Sequence, residues 1–452
     1  MPRPSSESDE FSAGIAAAPA NDSNATPHSA DSSNAGQSPP SAPSPSSSKV
    51  LWAMLLCLLT AFALSQAFRT VTSIMADGLR SDFGLSSQSL GAFAGLFALS
   101  FGVTQLLMGI GMDMFGLRKT LLTTFPLAIA GSALSATASS YHWLMLGQLL
   151  IGVGCSPAFL SSTMFIARHF PAQRFAFLSG VGMGVGGLGL IFTGTPLAWL
   201  VEHYGWRQGF VVLTVASFLS WLLIFFRVHE PPLASDSLPK PGFIEVVKGF
   251  GSLLRLPHTW GIVLIGMVSY ASFLTVRGLW LSPMLMDRYH LSLIATGNVA
   301  LALSVISLFS PSVFGRLDPG PAHRRERIIT LACAMAGIFL LLAWVHNAVV
   351  SVALIFTMGI VSGYSSLLYA DVRSSYAPQT TGRALSIYTM AMFLGAAVMQ
   401  WLSGVVAGFA EQQGQEIYPY VNSTVAVLLL LGCFAFWRIP KSPLLSNSKP
   451  QA

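Results

Sequence analysis

"LWAMLLCLLTAFALSQAFR" (51–69) carries no charge until its last residue, Arg69. An unbroken apolar run of this kind has the length of a helix that crosses the hydrocarbon core of a bilayer, about 20 residues. The pattern returns at "SYASFLTVRGLWLSPMLM" (269–286), where Arg277 stands alone among apolar residues. A cation at such depth costs several kcal/mol, so each of the two asks for a purpose.

The rest of the chain agrees with a membrane reading. Of its 452 residues 53% are hydrophobic and only 9% are charged, against about 25% charged in soluble domains. A soluble fold is excluded, and the composition is that of a polytopic membrane protein. The net charge of +6 is dispersed over alternate loops and forms no patch, which excludes a nucleic-acid partner. Cys57, Cys155, Cys333 and Cys433 lie inside apolar segments, without metal spacing, and read as small core residues. Residues 1–48 are rich in Ser, Ala and Pro and are expected to form a disordered tail.

Hydrophobic runs and their polar breaks predict twelve helices: 50–76, 88–110, 119–138, 143–167, 175–200 and 206–227, then 259–285, 293–315, 325–345, 348–371, 382–409 and 417–437. They divide into a first six-helix bundle over 49–228 and a second over 259–438. The linker 229–258 separates them, and a short tail, 439–452, follows. In the linker Phe243, Val247, Phe250 and Leu254 recur at helical spacing, as in a helix lying on the membrane surface. With the N-terminus in the cytoplasm, most of the 24 basic residues fall inside. Arg80, Arg207 and Arg288 are left outside, and Arg69 and Arg277 lie within spans. That asymmetry predicts cytoplasmic termini in a bacterial inner membrane.

The halves repeat at a spacing of roughly 205 residues. "LRSDFGLSSQSLG" (79–91) is echoed by "LMDRYHLSLIATG" (285–297), and "GMDMFGLRK" (111–119) by "GRLDPGPAHRR" (315–325). Parallel repeats of this kind build carriers in which two bundles rock around a site at mid-membrane.

"GIGMDMFGLRK" (109–119) closely resembles the loop motif of the major facilitator superfamily, with Gly109, Asp113, Gly116, Arg118 and Lys119 in place. "GWRQGF" (205–210) and "GRALSIY" (382–388) are similar to that superfamily's wording as well, and the resemblance covers about residues 50–438. It implies an all-α fold of two six-helix bundles and the role of a secondary transporter working by alternating access. It also implies a gating role for the motif residues and their repeat partners Asp318 and Arg324. A carboxylate at a helix end pairs with basic groups or a helix N-terminus in one state of the carrier and parts in the other. Two residues depart from the pattern. Met114 follows the motif's Asp where a basic residue is usual. Gln148 stands in the fourth span where many proton-driven members carry Arg.

Arg69 and Arg277 lie at similar depth on corresponding helices of the two halves, which predicts a shared site. Guanidinium is always charged and offers a planar fork of donors to carboxylate or phosphate oxygens. Two such groups facing one cavity resemble the two-arginine scheme of organophosphate and nitrate transporters in the superfamily. Asp77, about two turns beyond Arg69, is a possible partner for it. No Asp or Glu occurs mid-span, and every histidine falls in loops, span ends or the tail. Gln148 and Tyr364 are added as candidate substrate contacts. The leading expectation is therefore a carrier of small organic or inorganic anions, acting as a monomer with a coupling ion or counter-substrate. Proton-driven efflux and a ligand-sensing receptor on a transporter fold are the alternatives. Without a GxxxxGK loop, a catalytic constellation or a metal-ligand cluster, no enzyme activity, cofactor or metal is expected.

Overall fold

In a computed structural model, residues 45–229 and 243–446 are described. Residues 1–44 of the expected tail, 230–242 of the expected linker and 447–452 lie outside them, and residues 45–48, expected as tail, open the first helix instead. A segment in lipid must satisfy its own backbone hydrogen bonds, and this chain does so with helices throughout the described residues.

The first half comprises α1 (Pro45–Phe83), α2 (Ser87–Phe115), α3 (Leu117–Ala136), α4 (Tyr141–Cys155), α5 (Pro157–His169), α6 (Phe175–Phe192), α7 (Thr195–Tyr204) and α8 (Trp206–Arg227). After α9 (Phe243–Leu254) the second half follows. It holds α10 (Pro257–Thr275), α11 (Leu281–Tyr289), α12 (Leu293–Arg316), α13 (Pro321–Trp344), α14 (Ala348–Val361), α15 (Ser365–Ser375), α16 (Pro378–Gln412) and α17 (Ile417–Arg438), with a final turn α18 (Pro443–Ser446). Eleven helical stretches are long and apolar enough to cross a membrane. The twelfth is α3, 20 residues long, whose apolar character is diluted by Lys119 and a run of threonines. It packs between α4 and α8.

Four spans are interrupted. The fourth is α4–α5, joined at Ser156, and the fifth is α6–α7, broken at Thr193–Gly194. The seventh is α10–α11 through a π-helical turn at Val276–Trp280, and the tenth is α14–α15 through a 3₁₀ turn at Ser362–Tyr364. Twelve crossings return the chain to the side where it began. That side is called the termini face below, and the opposite one the far face.

Apolar side chains form two cores, one for each half. Phe393 of the second half enters the first core, and Ala76, Leu90, Ala94 and Ala98 of the first enter the second. Lipid supplies no hydrophobic drive between helices, so contact between the halves depends on small residues that let backbones approach. A Cβ on Gly91 of α2 would stand 2.6 Å from the Gln400 carbonyl oxygen and 2.8 Å from the Gly404 Cα of α16. At the other seam a Cβ on Gly297 of α12 would stand 2.6 Å from the Ala198 Cβ of α7. Both seams lie toward the far face. The helix α9 turns its buried Leu253, with Phe250 and Leu254, onto the core of the second half.

Candidate functional site

Between the halves lies a cavity of about 520 Å³, within the range of small-molecule sites. Its wall carries Gln66, Arg69 and Thr70 from α1 and Ser269 and Tyr270 from α10. Farther toward the termini face the wall continues along Gly180 of α6, Ser312 of α12 and Ser365 of α15.

Arg69 is half-buried in this wall. Its guanidinium carbon lies 4.7 Å from the ring centroids of both Phe101 and Phe393, one from each half. Two aromatic faces stabilise a cation electrostatically without neutralising it. Nη2 donates to Ser65 Oγ at 3.3 Å and Nη1 to the Tyr270 hydroxyl at 3.5 Å. Nε is buried without a partner among the described residues. Among the described residues no carboxylate pairs with Arg69, and Asp77 is exposed, contrary to the pairing considered from the sequence. The site thus holds a full positive charge with donor capacity to spare, ringed by hydroxyls.

Arg277 takes a different course. It belongs to the π-helical turn, which brings Gly278 against α1: a Cβ there would stand 2.8 Å from the Arg69 carbonyl oxygen. The two arginines therefore flank one helix crossing, but Arg277 does not line the cavity. Its side chain is wholly buried. Nε donates to Ser304 Oγ at 3.2 Å. Nη2 reaches Ser304 Oγ at 3.1 Å, the Leu190 carbonyl at 3.1 Å, and the Thr193 carbonyl and Oγ1 at 3.4 and 3.2 Å. Gln148 and Tyr364 are likewise buried and stand outside the cavity wall. Phe101, Phe393, Ser65 and Ser307 are the contributors that sequence reading missed. A phenylalanine or serine in an apolar span carries no signal of its own there.

The far face is closed by bonds that cross between the halves. Arg80 of α1 pairs with Asp287 of α11 at 3.4 Å and donates to Ser87 Oγ at 2.9 Å. Glu411 of α16 accepts from the Ser87 hydroxyl at 2.6 Å and from its backbone N–H at 3.2 Å, capping the first turn of α2 from the other half. Deeper in, Ser73 donates to Ser282 Oγ at 3.2 Å, and Thr195 to Asn298 at 2.6 Å.

At the termini face Asp318 and Arg324 form a two-pronged pair, Nε lying 3.0 and 3.2 Å from the two carboxylate oxygens. Arg324 also donates to the Ala370 carbonyl at 3.2 Å and to Ser374 Oγ at 2.9 Å on α15. All of these partners belong to the second half. The Arg324 guanidinium holds the Asp318 carboxyl below the usual carboxylate range. Arg118 donates to the Phe225 carbonyl at 2.8 Å, tying α3 to α8, and Lys119 is exposed. Gly116 joins α2 to α3 at φ +84°, a conformation that favours glycine. A Cβ on Gly109 would meet only Leu160 at 3.7 Å, an ordinary contact. The Asp113 side chain lies outside the described residues.

Known proteins match this architecture. A family model for the Major Facilitator Superfamily matches residues 57–399. The probable L-galactonate transporter of Escherichia coli (strain K12) is 22% identical over 403 residues, which is 84% of this chain and 85% of that protein. The probable sulfoacetate transporter SauU of Cupriavidus necator is 27% identical over 171 residues, 38% of this chain and 39% of the relative. A second partial relative is the probable galactarate/D-glucarate transporter GudP of Bacillus subtilis (strain 168), 24% identical over 196 residues and matched over 43% of its length. These two alignments span about two-fifths of the relatives' own length. Among solved structures, the D-xylose–proton symporter superposes with a TM-score of 0.68 at 17% identity, over 87% of this chain and 99% of that one. A bacterial homolog of the human lysosomal transporter Spinster, inward-facing and unoccupied, gives 0.66 at 17% identity, over 88% and 97%. With twelve helices in two halves around a central cavity and a family match across most of its length, the chain belongs to the Major Facilitator Superfamily.

Proposed function

We propose that this secondary transporter carries a small hydroxylated organic anion, bound in the central cavity with its charged group on Arg69. The observation that carries the reading is a guanidinium on the cavity wall, resting against a packed pair of phenylalanines and free of any carboxylate partner among the described residues. The planar guanidinium fork is suited to the paired oxygens of a carboxylate or a sulfonate. Hydroxyls from Thr70, Ser269, Tyr270, Ser307, Ser312 and Ser365 supply donors and acceptors for a polar cargo body. The named cargoes of the galactonate, glucarate and sulfoacetate relatives are organic acids, which supports the same class. The D-xylose symporter shares the fold with a neutral cargo, so the fold alone does not argue for an anion. In this reading a single chain suffices, the termini face is cytoplasmic, and the cavity belongs to an inward-facing state.

Uptake into proteoliposomes of a panel of sugar acids, sulfonates, phosphate and nitrate, with neutral sugars as controls, tests it. Sugar acids should be taken up by the parent and not by Arg69→Ala. An Arg69→Ala variant that carries the anions as the parent does, or a parent that prefers the neutral sugars, refutes the proposal. Saturable binding without flux would assign the protein to ligand sensing instead.

A further inference from the structure

A wholly buried cation needs compensating charge, and Arg277 has no carboxylate to supply it among the described residues. What it has is the end of a helix. The break at Thr193–Gly194 stops α6: the Gly189 and Ile191 carbonyls still accept from backbone N–H groups and the Leu190 carbonyl from Thr193 Oγ1, but the end of the backbone ladder leaves the Leu190 and Thr193 carbonyls open to a further donor. The C-terminal end of a helix carries about half a negative charge. Arg277 takes the Leu190 and Thr193 carbonyls; the Ser304 hydroxyl, which donates at 2.7 Å to the Ala300 carbonyl of its own helix, stands 3.3 Å from the Leu190 carbonyl. Thr193 Oγ1 is in turn 2.7 Å from Thr70 Oγ1 of α1. The acceptors belong to the first half, while Arg277 and Ser304 belong to the second.

This layer sits directly behind the cavity, whose wall includes Thr70, Leu190 and Leu274. On its other side the α7–α12 seam runs on toward the far face, where a Cβ on Gly194 would lie 2.7 Å from the Leu301 Cβ. Opening the far face requires that seam to part, and parting it strips Arg277 of its helix-end acceptors. Arg277 Nη1 is buried and has no partner among the described residues.

We infer that Arg277 is a latch between the halves: it holds the far face closed by gripping the interrupted end of the fifth span, and lets go each time that face opens. It is a positioning residue, distinct from the anion contact at Arg69.

The test uses the full-length protein with Cys57, Cys155, Cys333 and Cys433 replaced and Ser73→Cys added at the buried far-face seam. A membrane-impermeant maleimide is applied from the far face without any cargo. Arg277→Ala should raise the labelling rate about tenfold or more, the shift that one lost charge-assisted bond produces. Arg277→Lys, which keeps a donor and the charge, should restore part of the protection. Ser304→Ala and Thr193→Val, which thin the same layer and leave the arginine in place, should give smaller increases. They decide the matter if Arg277→Ala fails to fold. Unchanged labelling in Arg277→Ala, or in both lesser variants where only they fold, overturns the latch. Because no anion is present, this result is independent of the uptake experiment with Arg69→Ala.

Discussion

Gly91→Ala adds one methyl group at the α2–α16 seam. Its Cβ would stand 2.6 Å from the Gln400 carbonyl oxygen, 2.8 Å from the Gly404 Cα and 3.2 Å from the Gly404 nitrogen. All three are backbone atoms of one helix, so no rotamer change relieves the overlap. Overpacking of this kind costs about 1–3 kcal/mol. The cost falls only on the state in which the far face is closed, because the clash disappears once the helices part. The closed-to-open ratio should therefore drop about 5- to 150-fold. Spin labels at Gln88 and Gln412, exposed near the far-face ends of α2 and α16, report the change as a longer-distance population in pulsed dipolar spectra. Gly180→Ala is the control: nothing lies within 4 Å of a Cβ built there, and the distribution should match the parent. An unchanged distribution in Gly91→Ala would refute the claim that close backbone approach at this seam defines the closed state.

Three further outcomes are expected. Arg69→Lys keeps the charge and loses the fork, so the anion KM should rise roughly 10- to 100-fold, the worth of one charge-assisted bond; an unchanged KM in uptake assays counts against two-pronged recognition. Glu411→Gln weakens both bonds to Ser87 and should favour far-face opening in the same spin-label pair; a distribution identical to the parent's excludes Glu411 as a closing contact. The Asp318 carboxyl is held low by Arg324, so the stability it supplies is present above the unfolded value, about 3.9, and is lost as pH falls through its lower folded value. The melting-temperature difference between the parent and Asp318→Asn should therefore stay constant from pH 8 to 5 and vanish only in stronger acid; a difference that fades near neutrality contradicts the pairing.

The spans were legible because lipid leaves a backbone few options and apolar runs announce them. The sixth helix, expected at 206–227, is found at Trp206–Arg227. Others run longer than their apolar cores, as α1 does to Phe83, because helices continue into polar surroundings where hydropathy is silent. Two interruptions carried local signals that went unread, Pro157 after Ser156 and Gly194 with Pro196. The π turn at Val276–Trp280 has no such signal; it forms where Gly278 meets the backbone of α1, in the other half of the chain. Arg69 and Arg277 show the limit at the site. Hydropathy fixes how deep a residue sits, while direction around the helix axis is set by neighbours, and a π turn alters it further. Equal depth therefore did not mean a common cavity. Asp318, expected as a gating residue, pairs with Arg324, six residues away and inside one half.

The phenylalanine pair beneath Arg69 has a mechanical consequence. Phe101 belongs to the first half and Phe393 to the second, with ring centroids 4.1 Å apart. With its guanidinium carbon 4.7 Å from both centroids, Arg69 rests on a seat that the two bodies share, and a rotation of one against the other splits that seat. In the proposed reading, the hold on cargo at Arg69 then follows the position of the carrier in its cycle.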